Sequence, residues 1–95
     1  MVSKSICLID THPGKEDDVI KYLKRIEGVK AYRTYGPYDI IAEVCKENLN
    51  EVKRTVERQI EKIEGVEKVS KQFVIGGFTR DKKGNIKDYK LSNNP

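Results

Sequence analysis

The tetrapeptide Ile-Glu-Gly-Val occurs twice in this chain, at 26–29 and at 63–66. Each copy closes a segment of helical apolar spacing and opens one with the look of a strand. Before the first copy ends, Val19, Leu23 and Ile26 recur three and four residues apart; before the second, Val52, Val56, Ile60 and Ile63 do the same. Such stripes mark one buried face on each helix. Gly28 and Gly65 sit where a chain leaving a helix commonly takes a left-handed residue, a conformation that suits glycine. The repeat therefore reads as strand, helix, strand, strand, helix, strand, in two similar halves.

The helix starts agree with this reading. Pro13, with its fixed φ and missing N–H, suits the first turn of helix one, and Glu16, Asp17 and Asp18 follow near the positive end of the dipole. Asn48 is the expected N-cap of helix two. Strands are predicted over Val2–Asp10, Val29–Tyr35, Asp39–Cys45 and Val66–Gly76. Together these give an α+β, ferredoxin-like βαββαβ fold: an antiparallel sheet of order 4-1-3-2 with both helices on one face. The continuous apolar runs ICLI and IIAEVC fall on strands one and three, which that order makes central. They also place apolar groups on both faces, since Ile6 and Leu8 alternate with Cys7 and Ile9 on strand one and Ile40 is followed by Ile41 on strand three. A sheet with an uncovered apolar face normally meets something. The simplest expectation is a sheet-to-sheet homodimer of the dimeric α+β barrel type.

A length of 95 residues suits one small domain. We expect a folded domain over 1–78 and a basic C-terminal extension over 79–95, read as a hairpin or extra strand followed by a frayed end. The net charge of +4 is unevenly shared: residues 1–78 carry 14 Lys/Arg against 13 Asp/Glu, and residues 79–95 carry 5 against 2. The folded part is nearly neutral, so a basic nucleic-acid platform is not expected. No run approaches the roughly 18 apolar residues of a membrane span, and the N-terminus lacks a signal-like stretch, so a cytoplasmic location is expected. Cys7 and Cys45 lie in apolar runs without metal-ligand spacing and read as buried free thiols.

Little in the chain points to catalysis. His12 beside Pro13 has no obvious partner and reads as a loop residue; no serine sits in a nucleophile-elbow context. Gly76-Gly77 lacks the Lys-Ser/Thr and the following helix of a phosphate loop and reads as a flexible strand end. No cofactor, metal site or enzymatic activity is expected.

The stretch RTYGPYDIIAEV, residues 33–44, is more informative. Gly36 supplies a permissive backbone, Pro37 stiffens the bend, and Asp39 can bond a nearby amide to start strand three. Those roles leave Tyr35 and Tyr38 unexplained, because exposed aromatics at a bend gain nothing unless they cover something. Amides at a glycine turn can hold a carboxylate, and a fixed Asp can accept from an ammonium. From these residues alone the turn-only and the ligand-binding readings stand level.

The segments GKEDDVIKYLKRIEGVKAYRTYGPYDIIAEV and NLNEVKRTVERQIEKIEGVEKV, in that order, resemble the effector-binding (RAM) domain of the Lrp/AsnC family of amino-acid-responsive transcription regulators. The likeness runs from residue 2 to about 76. It includes the Pro-Gly before helix one, the Gly-Val after each helix and the Gly-x-x-Asp of the turn. The resemblance implies facing sheets in a homodimer, dimers that commonly assemble into octamers, and a small effector, usually an amino acid, bound between dimers. It assigns the site to the turn, which contributes Gly36, Tyr38 and Asp39 with Tyr35 and Pro37 beside them, and to strand four of a neighbouring chain, here Val69 and Lys71. Many relatives have small hydroxyl residues at those strand-four positions, so Lys71 would add a cation near the pocket. Family regulators also carry a helix-turn-helix reader ahead of this fold, whereas this chain starts with strand one and resembles the stand-alone form. The implied function is amino-acid sensing and oligomerisation that modulates transcription through assembly or through full-length partner regulators, without direct sequence-specific DNA binding. A purely structural co-assembly partner is the alternative, and a small dimeric barrel enzyme a more distant one.

Overall fold

A computed structural model describes residues 2–90. Four strands, β1 (Ser3–Thr11), β2 (Val29–Arg33), β3 (Ile40–Lys46) and β4 (Val66–Val74), form one antiparallel sheet of spatial order β2-β3-β1-β4. This is the ferredoxin-like order expected, with β1 and β3 central. The helices are α1 (Glu16–Leu23) and α2 (Leu49–Thr55), the latter continuing into a wider, π-helical turn over Val56–Ile60. In that turn the Glu61 N–H reaches back five residues to the Val56 carbonyl, at 2.9 Å.

Alternation along the central strands separates the two sheet faces. Cys7 and Ile9 of β1, with Ile40, Ala42 and Val44 of β3, turn toward the helices, where Val19, Leu23, Val52, Val56 and Ile60 complete a fully buried core. Both helical stripes read from the sequence are therefore core faces, and Ile26 and Ile63 pack at the margin. Ile6, Leu8 and Ile41 point the other way. Tyr32 joins them because it is paired with Ile41, and this open face leaves Ile6 37% and Tyr32 56% exposed.

The element ends follow local chemistry. Asn48 caps α2, its side-chain oxygen accepting from the Glu51 N–H at 2.9 Å. Pro13 is not in the first turn of α1; it lies in a tight turn closed by the Lys15 N–H on the His12 carbonyl, and the helix begins three residues later. Beyond Leu23 the chain runs through three-residue turns, the Arg25, Ile26 and Val29 N–H groups donating to the Tyr22, Leu23 and Ile26 carbonyls, so Gly28 closes the last of these turns, not the helix itself. Its φ of +83° is left-handed, and a Cβ there would lie 2.4 Å from the Cys45 carbonyl oxygen. The Gly28 carbonyl in turn accepts from the Cys45 N–H at 2.9 Å. Glycine is required for the conformation and for the approach to β3.

β4 stops at Val74, and the chain turns directly into a separate antiparallel hairpin, β5 (Gly76–Arg80) and β6 (Ile86–Lys90). All ten of its strand residues are exposed. Gly76 and Gly77 are thus paired strand residues of this hairpin. Its turn is organised by Asp81, whose carboxylate accepts from the Lys83 and Asn85 amides and from the Asn85 side chain at 2.9–3.1 Å. These bonds, with the Asn85 amide foremost, hold the Asp81 carboxyl below the usual carboxylate range. The frayed end expected after the hairpin lies outside the described residues.

Candidate functional site

The turn that links β2 to β3 is fixed by bonds along its own base and to β1. The Thr34 N–H donates to the Asp39 carbonyl at 2.9 Å, and the Thr34 hydroxyl donates to the Tyr38 carbonyl at 2.7 Å. The Asp39 N–H donates to the Ile9 carbonyl at 3.0 Å, which aligns the start of β3 beside the end of β1. The Asp39 carboxylate then accepts from the Thr11 N–H at 2.8 Å and from the Thr11 hydroxyl at 3.2 Å. Asp39 is therefore a structural turn residue whatever else it does. A fixed base projects a free tip: Tyr35 is wholly exposed, Gly36 and Pro37 are exposed, and Tyr38 is half-buried. Gly36 has a φ of +152° with nothing near the place where a Cβ would stand, so its backbone conformation, not crowding, selects glycine.

Val69 and Lys71 lie on β4, opposite Ile9 and Cys7 respectively, which puts both on the helix-covered face. Val69 packs against the core. The Lys71 ammonium donates to Glu61 at 2.8 Å and to Glu57 at 3.3 Å, across from the π-helical turn. The Glu61 bond, with Glu57 adding to it, holds the lysine above its usual range. Within one chain, then, the structure brings together the five turn residues but not the strand-four pair with them. The cation expected near the pocket already has two carboxylate partners of its own.

Thr11, Glu57 and Glu61 were not singled out by the sequence reading. Glu57 and Glu61 could have been found, because like charges four apart on one helix face repel unless a cation lies between them. Thr11 carried no such signal: its role depends on the register that puts the end of β1 beside Asp39. Cys7 is buried and Cys45 half-buried, on opposite faces of the sheet, and both are free thiols. Burial pushes the Cys7 thiol up, against a smaller opposing effect of Ser5.

Concave spaces lie away from the turn. One of about 290 Å³ is lined by Lys15, Tyr22 and Arg25 on the outer side of α1, and one of about 520 Å³ lies between the β3 end and α2. Neither is lined by residues 35–39. Among the described residues no group of three His, Cys, Asp or Glu is arranged to hold a metal ion. No helix among them is long and apolar enough to cross a membrane.

Comparison with known proteins agrees with the fold. The profile of the Lrp/AsnC ligand binding domain matches residues 4–83. The crystal structure of FFRP-DM1 superposes with a TM-score of 0.73 at 30% identity, covering 79% of this chain and 100% of that one. The hypothetical protein PHS023 from Pyrococcus horikoshii gives 0.71 at 32% identity, covering 79% and 90%. The transcriptional regulator NMB0573 from Neisseria meningitidis, solved as an L-Met complex, gives 0.67 at 15% identity, a likeness of fold over 76% of this chain and 49% of that one. No curated protein matches the chain. A profile match over most of the chain, with the repeated Gly-Val pairs and the Gly-x-x-Asp turn falling within it, shows that this protein belongs to the Lrp/AsnC ligand-binding-domain family.

Proposed function

We propose that this chain is a non-catalytic module that senses a small amino-acid-like effector between subunits and modulates transcription through its assembly or through full-length partner regulators. Two copies meet through the open sheet face, and further association brings the Tyr35–Asp39 turn of one chain against β4 of another, around Val69 and Lys71. The observation that carries this reading is the turn itself: a rigid base tied to β1, bearing a fully exposed Tyr35 that covers nothing in its own chain. An L-Met complex of a protein with this fold supports an amino acid as the effector class. The effector acts only by binding one assembly better than another. Calorimetric titration with a panel of amino acids, alongside sedimentation with and without each, tests it. Heat of binding together with a change of mass is the expected result; no heat across the panel, with the oligomer intact, refutes sensing.

One observation favours a second reading, a purely structural partner that co-assembles with family regulators. Both charges offered to a ligand are already paired internally, Asp39 with Thr11 and Lys71 with Glu57 and Glu61. Capture of a full-length family regulator by a protein that binds no amino acid would favour it.

A further inference from the structure

The β5–β6 hairpin is not used by the ligand reading. FFRP-DM1 is matched over 100% of its length by 79% of this chain, and the family profile ends at residue 83, within the hairpin turn and ahead of β6. Register divides the hairpin into two unlike faces. On one, Gly77 opposes Tyr89, whose ring lies 3.1–3.2 Å from where a Gly77 Cβ would stand. The same ring lies 6.0 Å from the Lys4 ammonium, which pairs with Glu43 at 3.1 Å on the open sheet face. This face roots the hairpin beside the open side of its own sheet. The other face carries Phe78, Arg80, Ile86, Asp88 and Lys90, with Phe78 and Ile86 as diagonal neighbours that stay 65% and 59% exposed.

A two-stranded hairpin is marginal by itself, and two large apolar groups on its outward face add to the cost of leaving it in water. Its own sheet does not cover them, and the hairpin does not cover that sheet, since Ile6 and Tyr32 remain exposed. Phe78 and Ile86 lie between charges of both signs, Arg80, Asp88 and Lys90, an apolar centre with a polar rim that suits a protein surface. We propose that the hairpin is an arm whose Phe78–Ile86 face docks on the open sheet face of a second copy of this chain. This rests on the sheet-to-sheet dimer of the preceding reading and extends it: the arm, rooted next to that face by Tyr89 and Lys4, continues the same interface.

The test uses the full chain with Phe78→Ser and Ile86→Ser together, measured by sedimentation over a concentration series. The expected result is a dimer at least tenfold weaker than wild type with an unchanged fold by circular dichroism, because neither side chain belongs to the core. Independently, a photo-crosslinking benzoylphenylalanine at position 78 should join two chains, with the adduct mapping to the peptides containing Ile6–Leu8 or Tyr32–Ile41. An unchanged dimer constant, or adducts within one chain alone, overturns the arm while leaving the dimer standing. A wild-type protein that is monomeric throughout overturns both. Loss of duplex-DNA binding in the double variant with no loss of dimer would assign the arm to nucleic acid and overturn the proposal.

Discussion

Replacing Asp39 separates what its carboxylate does for the fold from what it offers a ligand. In Asp39→Ala the Thr11 N–H, on a residue only 6% exposed, loses its acceptor, and the Thr11 hydroxyl loses its partner as well. An unpaired buried donor costs about 1–3 kcal/mol, so a loss of about 2 kcal/mol is expected. For a domain of this size that lowers Tm by roughly 8–16 °C. The chain should still fold, because the backbone bonds Thr34 to Asp39 and Asp39 to Ile9 do not involve the side chain. Asp39→Asn keeps an acceptor for Thr11 and removes the charge, at about 0.5–1 kcal/mol. Thermal unfolding followed by circular dichroism, with calorimetric titration of both variants, reads the two roles. The Asn variant should melt near wild type yet bind an amino-acid effector at least about tenfold more weakly, equivalent to about 1.4 kcal/mol. If Asp39→Ala melts with wild type, the tie to Thr11 contributes nothing to stability. If Asp39→Asn binds as wild type does, the carboxylate does not meet the ligand ammonium.

Other expectations can be checked more simply. Gly14 and Gly28 have nearly equal φ values, +80° and +83°, but only Gly28 has the Cys45 carbonyl against it. Gly14→Ala should therefore cost about 1 kcal/mol and Gly28→Ala clearly more by denaturant titration; equal losses would remove the close-approach argument. A thiol reagent should label Cys45 well before Cys7, and the Cys45 rate should fall as protein concentration rises if its face is buried in a dimer. The depressed Asp81 carboxyl contributes hairpin stability above its unfolded value near 3.8, and this is lost as pH falls through the lower folded value. Amide exchange at Lys83 and Asn85 should accelerate there, and Asp81→Asn should flatten that dependence; an unaltered acid profile in the variant would refute the assignment.

The topology was legible because the two halves repeat their punctuation. Val19 and Leu23, then Val52, Val56 and Ile60, specify core stripes whose spacing survives even where the second helix widens, since all five stay buried. The π-helical turn had no local signature, because it is an adjustment of backbone winding that leaves the apolar pattern intact. Pro13 misled because a fixed φ serves a turn as well as a first helical residue. The candidate site was legible only in part. Gly36, Pro37 and Asp39 announce a bend, whereas the tie from Asp39 to Thr11 and the clamp of Glu57 and Glu61 on Lys71 join residues 28, 14 and 10 positions apart. Such contacts are created by strand register and helix docking, which no short window of sequence contains.

The last residues of β1 have neighbours in both loops at that end of the sheet. Thr11 holds the Asp39 carboxylate, and the next residue, His12, donates its N–H at 2.8 Å to the carbonyl of Gly65, just ahead of β4. Two consecutive peptide units thus tether the hairpin bend to the entry of the opposite edge strand. Because the two bonds leave from adjacent residues, a change of backbone direction at Thr11 would bear on the bend and on the start of β4 alike.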